Sequence, residues 1–251
     1  MFQGKMKALT FSYDDGVTQD IRLIELFNKY NMKATFNINS GLLGKEGYLI
    51  REDVRVNHTK NKPEDVRHIY ENHEVAVHTL THPNLLGISN TLSKEESEKE
   101  IIRQVEQDRI QLSELCGYEV VGMAYPCGGN CYDDRVSDII GAHTGVKYAR
   151  TTQSTFSFEL QSRLLQFHPT VYHHCEMDKM FELGEQFLSL HTDVPIVFYV
   201  WGHAYEFDIH NEWTKFEAFL EMMSGRDDIC YCSNKEALLR GKGNEVSTKR
   251  E

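Results

Sequence analysis

Short runs rich in Val, Ile, Phe and Tyr alternate with helical patterns from one end of the 251-residue chain to the other, and this alternation constrains the fold most. Strands separated by helices are joined by crossovers, so they run parallel in an α/β sheet. The candidate strands are Lys7–Tyr13, Lys33–Ile38, Glu74–His78, Glu119–Tyr125, Lys147–Thr151, Leu164–Val171, Ile196–Val200 and Ile229–Cys232. Eight is the upper count. Between them, the spacing predicts a helix over Thr18–Tyr30 with Ile21, Ile24 and Phe27 on one face. A second is predicted over Ser93–Leu115, opened by the capping box Ser93-Lys94-Glu95-Glu96 and carrying Ile101, Ile102, Val105 and Leu112. No linker or repeat divides the chain, so one domain over residues 1–240 is expected, followed by a polar tail over 241–251.

The charge balance, 27 Lys+Arg against 38 Asp+Glu, gives a formal net charge of −11. That disfavours capture of nucleic acid or anionic lipid and favours a neutral or cationic substrate. The longest apolar candidate, Pro195 to Trp201, has strand length, so no membrane span is expected. Met1 to Lys7 lacks the features of a secretory signal, which points to a cytoplasmic protein, with a secreted piece that has lost its leader as the other reading. The cysteines at 116, 127, 131, 175, 230 and 232 are too sparse for a disulfide scaffold. Cys230 and Cys232 alternate on a strand, so buried free thiols are expected rather than a sulfur-rich zinc site. Cys127 has no His tied to it in sequence and ranks low as a nucleophile.

The reactive side chains fall at the C-terminal ends of the strands. Asp14 and Asp15 follow the first, His78 ends the third, Tyr125-Pro126 end the fourth, Arg150 lies near the end of the fifth, and Trp201-Gly202-His203 follow the seventh. In a parallel barrel those ends converge on one face. Asp-Gly after a strand is by itself ordinary turn chemistry. His78-Thr79-Leu80-Thr81-His82-Pro83 says more, because two imidazoles in a tight loop can converge on one cation. With Asp15 nearby they make a two-His-one-Asp set that leaves coordination positions open, as a catalytic metal requires. Zinc suits such ligands best, and Co, Ni, Mn or Fe are also accepted. Asp15 is expected on the metal and Asp14 as general base, although the two roles are exchangeable on sequence alone.

Leu9-Thr10-Phe11-Ser12-Tyr13-Asp14-Asp15-Gly16, His78-Thr79-Leu80-Thr81-His82-Pro83 and Ala124-Tyr125-Pro126-Cys127-Gly128 together resemble, in order, the first three motifs of the polysaccharide deacetylases, carbohydrate esterase family 4. The resemblance implies a distorted (β/α)7-8 barrel and metal-dependent removal of acetyl groups from sugars. It implies Asp14 as base, Asp15, His78 and His82 as metal ligands, the Cys127 backbone N–H as oxyanion donor, and His203 as general acid. The family's third motif commonly carries an Arg that pairs with the base. Here Met123-Ala124-Tyr125 stand before Pro126, and Arg150 is the candidate replacement, with a surface salt bridge as its other reading. The fourth motif's Asp has no clear match. Pro169-Thr170-Val171-Tyr172-His173-His174 occupies that region, where at most one of the adjacent histidines faces the cleft. Tyr125, Trp201, Glu206 and His174 are candidate substrate contacts. The expected activity is deacetylation of N-acetylated sugars or oligosaccharides. The alternatives are hydrolysis of another linear or cyclic amide or acetyl ester, and a non-catalytic carbohydrate-binding barrel.

Overall fold

Strand β1 (Lys7–Asp14) is buried along its whole length in the computed structural model, which describes residues 1–239. Its two-residue period divides the molecule. Leu9, Phe11 and Tyr13 enter the large apolar cluster with Leu23, Ile24 and Phe27 of the helix Asp20–Lys29. The alternate residues meet a polar network: Thr10 donates to Asn234, Asn37 donates to Ser12, and Asn37 also donates to Asp14. A barrel strand ending in an acid on its polar side aims that acid at the barrel mouth.

The remaining strands are β2 (Thr35–Ile38), β3 (Tyr48–Arg51), β4 (Val54–Asn57), β5 (Glu74–Val77), β6 (Gly122–Ala124), β7 (Tyr148–Arg150), β8 (Val171–Tyr172), β9 (Ile196–His203) and β10 (Ile229–Tyr231). Eight form a parallel sheet in the order β7-β6-β5-β2-β1-β9-β8, with β10 also pairing β1. β10 takes Lys7 to Leu9 and β2 takes Ser12 to Asp14. A single parallel bridge between Arg150 and Phe167 links the β7 edge to the segment that leads into β8, curling the sheet toward closure. This is the expected α/β barrel in distorted form.

Three expectations on particular elements are corrected, and the ten strands among the described residues exceed the expected upper count of eight. Ile21 is 45% exposed, and Asp20 and Leu23 complete the buried face with Ile24 and Phe27. The strand expected over Leu164–Val171 is a 3-10 turn, Leu164–Gln166, the Phe167 bridge and the short β8, since Pro169 offers no amide to a ladder. β9 runs on through His203, so Trp201 and Gly202 lie within it. The antiparallel hairpin β3–β4 was not anticipated. It turns through Glu52 and Asp53, both at positive φ as a two-residue hairpin turn of the I′ type demands. The long helix opens on the expected capping box at Ser93 and passes through a π-helical turn, Arg103–Gln107, before ending at Cys116. Cys116, Cys131, Cys230 and Cys232 are buried free thiols, while Cys175 is exposed. Among the described residues no helix is long and apolar enough to cross a membrane. The tail expected over 241–251 lies outside the described residues.

Candidate active site

Parallel register sets the floor of the site. Asp14 lies opposite Asn37 of β2 on one side and His203 of β9 on the other, so backbone pairing brings all three level. Asp14 is 2% exposed; its Oδ1 accepts from Asn37 Nδ2 at 2.8 Å and its Oδ2 pairs with the Arg150 guanidinium. Arg150 is wholly buried, donates to the Thr151 carbonyl at 3.1 Å and lies over the Trp201 ring at 4.3 Å. It is therefore not a surface ion pair: each partner compensates a charge that would otherwise be isolated in the interior.

Asp15, His78 and His82 present ligand atoms that all lie within 4.8 Å of one another. Asp15 Oδ1 is 3.7 Å from His82 Nε2 and 4.0 Å from His78 Nε2. Asp15, Thr79 and His82 adopt φ of 86°, 66° and 61°, a conformation costing a non-glycine residue about 1–3 kcal/mol. Neighbouring elements hold the loop against that cost. Asn39 donates to the carbonyls of His78 and Thr79, and Leu80 N–H donates to the Gln104 carbonyl at 2.8 Å. Gln104 belongs to the π-helical turn, a distortion that often accompanies functional sites. Asp108 accepts from His78 N–H at 3.2 Å, and burial pushes its carboxyl up to about 7.

The charge states suit a cation. His78 Nδ1 lies 2.9 Å from the Ala124 carbonyl, which fixes the ring proton there. Burial pushes His78 down to about 4 and lowers His82 too, so both rings are neutral at pH 7. Burial opposes charge on Asp15, but the hydrogen bond from His58 at 3.0 Å and the Lys60 ammonium at 3.5 Å hold its carboxyl well below the usual range. Two neutral imidazoles and one carboxylate are a nitrogen-oxygen donor set that fits zinc and related divalent ions.

Opposite the triad, His203 closes β9. Its Nδ1 is 3.0 Å from Glu206 Oε1, and its backbone N–H donates to Glu206 Oε2 at 2.9 Å. Burial works against an imidazolium here, but the Glu206 carboxylate outweighs it and raises His203 above its ordinary value. Glu206 is wholly buried and receives Arg51 of β3 at 2.9 Å and the Tyr172 hydroxyl. Despite burial, His203 chiefly, with His173 and the Tyr172 hydroxyl, holds it down to about 2. Gly202 is required beside it, because a Cβ there would stand 1.8 Å from the buried His173 ring.

These groups surround a cavity of about 440 Å³. Asp14, Asp15, His78, His82, Tyr125, Cys127, Trp201 and His203 line it as expected, with Arg150 beneath them. Two expected substrate contacts are corrected. Glu206 turns its carboxylate onto His203, Arg51 and Tyr172 rather than into the cavity, and His174 points to Glu52 at 2.7 Å. His173 is buried against Phe207, so neither adjacent histidine lines the cleft. The Cys127 N–H has no acceptor among the described residues, and burial pushes its thiol up, away from a thiolate. Sequence reasoning missed Asn37, Arg51, His58, Lys60, Asp108 and Tyr172. Asn37 became visible only through the register of β2, and Arg51, His58 and Lys60 only through the hairpin.

The family model for polysaccharide deacetylases matches residues 3–149, more than half of the chain. The chain belongs to the polysaccharide deacetylase family. No curated protein matches it. Among solved structures, the Streptococcus pyogenes deacetylase PplD in complex with acetate is 18% identical, with 62% of this chain and 61% of PplD covered and a TM-score of 0.49. The chain thus spans 61% of that protein's length. Wild-type BA3943 from Bacillus anthracis, a CE4 family pseudoenzyme, is 17% identical over 95% of this chain and 66% of its own, with a TM-score of 0.52. The Puue allantoinase is 8% identical over 92% and 88%, with a TM-score of 0.63. At these identities what the two higher-scoring structures share with this member of the family is the fold.

Proposed function

We propose that this family member is a metal-dependent hydrolase that removes acetyl groups from N-acetylated sugars or short oligosaccharides. The observation that carries the reading is the convergence of Asp15, His78 and His82 with Asp14 and His203 around one cavity. A divalent cation held by Asp15, His78 and His82 would supply Lewis acidity and a water of lowered pKa. Asp14, oriented by Arg150 and Asn37, takes a proton from the attacking water. The Cys127 N–H faces the charge that develops on the acetyl oxygen, a contribution of about 3 kcal/mol for a donor of this kind. His203 Nε2 gives a proton to the leaving nitrogen, with Nδ1 held by Glu206. Trp201 and Tyr125 line the cavity and give it an apolar wall for the substrate, while their ring faces are taken up by Arg150 and Tyr172 on Trp201 and by Tyr132 on Tyr125.

Acetate release from a panel running from N-acetylglucosamine to chito-oligomers, with chelated protein reconstituted with zinc or cobalt, tests the substrate. The expected result is metal-dependent acetate. Silence across the panel with cation bound rejects a sugar substrate in favour of another amide or ester.

Glu206 acts on the leaving-group step through His203. Because Glu206 raises His203 and the acid works while protonated, Glu206→Gln moves the alkaline limb of the kcat profile to lower pH. The stability that the raised imidazole contributes is present below its unfolded value and lost as pH rises through the folded one; the variant forfeits it. An unshifted alkaline limb contradicts the role.

A further inference from the structure

Outside the cavity, three elements aim ligand atoms at one point. Glu52 stands at the tip of the β3–β4 hairpin, His174 follows β8, and His210 follows the helix Glu206–Ile209. Glu52 Oε1 is 2.7 Å from His174 Nε2, and Glu52 Oε2 is 2.7 Å from His210 Nε2. The two imidazoles stack nearly parallel, 9° apart with centroids at 5.6 Å. All three ligand atoms fall within 4.8 Å of one another, as those of the cavity triad do. The side chains of Glu52 and His210 are 46% and 48% exposed while that of His174 is 2% exposed, so the point is open to solvent on one side and anchored on the other.

We propose that Glu52, His174 and His210 form a second divalent-cation site, of the two-imidazole, one-carboxylate kind that zinc occupies, which clasps the hairpin tip to the barrel. Glu52 is the neighbour of Arg51, which reaches Glu206, so a cation there steadies the hairpin that braces the carboxylate partner of His203. The Nε2–H groups of both rings now donate to Glu52, so ligation through Nε2 displaces those hydrogen bonds and moves the ring proton to Nδ1. His78 has the Ala124 carbonyl to receive that proton, whereas His174 Nδ1 is buried without a partner. Outer-shell support is worth about 10–100-fold in metal affinity, so the hairpin site is expected to be weaker than the cavity site by that factor. This comparison rests on the cation site proposed above; the site's existence does not.

Equilibrium dialysis of the whole folded chain against buffered free zinc tests the site, using wild type, Glu52→Gln and His210→Ala. The expected wild-type isotherm contains a step that both variants lose, and a chelator empties that step first. Isotherms that coincide in the three proteins overturn the proposal, as does a weak step that both variants keep. Amide exchange gives an independent reading. Zinc should slow exchange over residues 48–57 in wild type and leave it unchanged in His210→Ala; equal slowing in both contradicts a clasp at this point.

Discussion

Asp14→Asn is expected to lower kcat for acetate release by about 10²–10⁴-fold, the range that a positioned general base supplies, while zinc binding at Asp15, His78 and His82 persists. The amide keeps the shape of the carboxylate and its place opposite Asn37 and His203, but it also leaves the buried Arg150 guanidinium without its anion, so kcat is read on protein that unfolding shows to be folded and the remaining loss falls on proton transfer. Asp14 Oδ2 is 3.8 Å from His78 Nε2, within reach of the same cation. The two roles separate in the measurement: loss of turnover with zinc retained makes Asp14 the base, and loss of zinc with turnover makes it a ligand. Substantial turnover in the variant would exclude it from both.

Arg150→Met should cost about 3–5 kcal/mol in unfolding free energy, because it strands a buried carboxylate without its cation. Asp14 and Arg150 are 2% and 0% exposed, so water cannot screen the loss. Against a total stability of roughly 5–15 kcal/mol for a domain, that is a large share. In the double variant Asp14→Asn, Arg150→Met no charge is stranded, and part of the stability should return. Urea unfolding of the four proteins in the cycle reads the coupling. Strict additivity would mean that the pair does not act as one unit.

Much of the site was legible because its residues end recognisable strands or sit in short loops after them. Asp14 and Asp15 close an eight-residue run buried throughout, and His78 and His82 flank a tight loop after another strand. Arg150 could be nominated from its strand end, but its partnership with Asp14 required the β6–β7 pairing and the curl of the sheet. The hairpin carrying Arg51 and Glu52 was not legible. Tyr48 and Ile50 are 62% and 78% exposed, so the apolar pattern of β3 does not mark a buried face. Its turn residues, Glu52-Asp53, are not the Asn-Gly or Asp-Gly pair that announces a hairpin. The signal that was available is the pair of short β-prone runs, Tyr48-Leu49-Ile50 and Val54-Arg55-Val56, separated by a few polar residues. Glu206 was visible as a residue and misread as a contact. Its true partner is His203, three positions earlier, and the helix that follows β9 folds the carboxylate back beneath the imidazole.

On the proposed mechanism, turnover depends on a cation held by Asp15, His78 and His82. Titrating chelated protein with zinc while following acetate release from an N-acetylglucosamine oligomer tests it most directly, with His82→Ala alongside; the His82 side chain is 31% exposed, which spares the core. Turnover should rise in proportion to the first zinc bound and saturate there, and His82→Ala should stay silent at the same free zinc. Acetate release by the chelated protein at the reconstituted rate, or full activity in His82→Ala, would contradict the account.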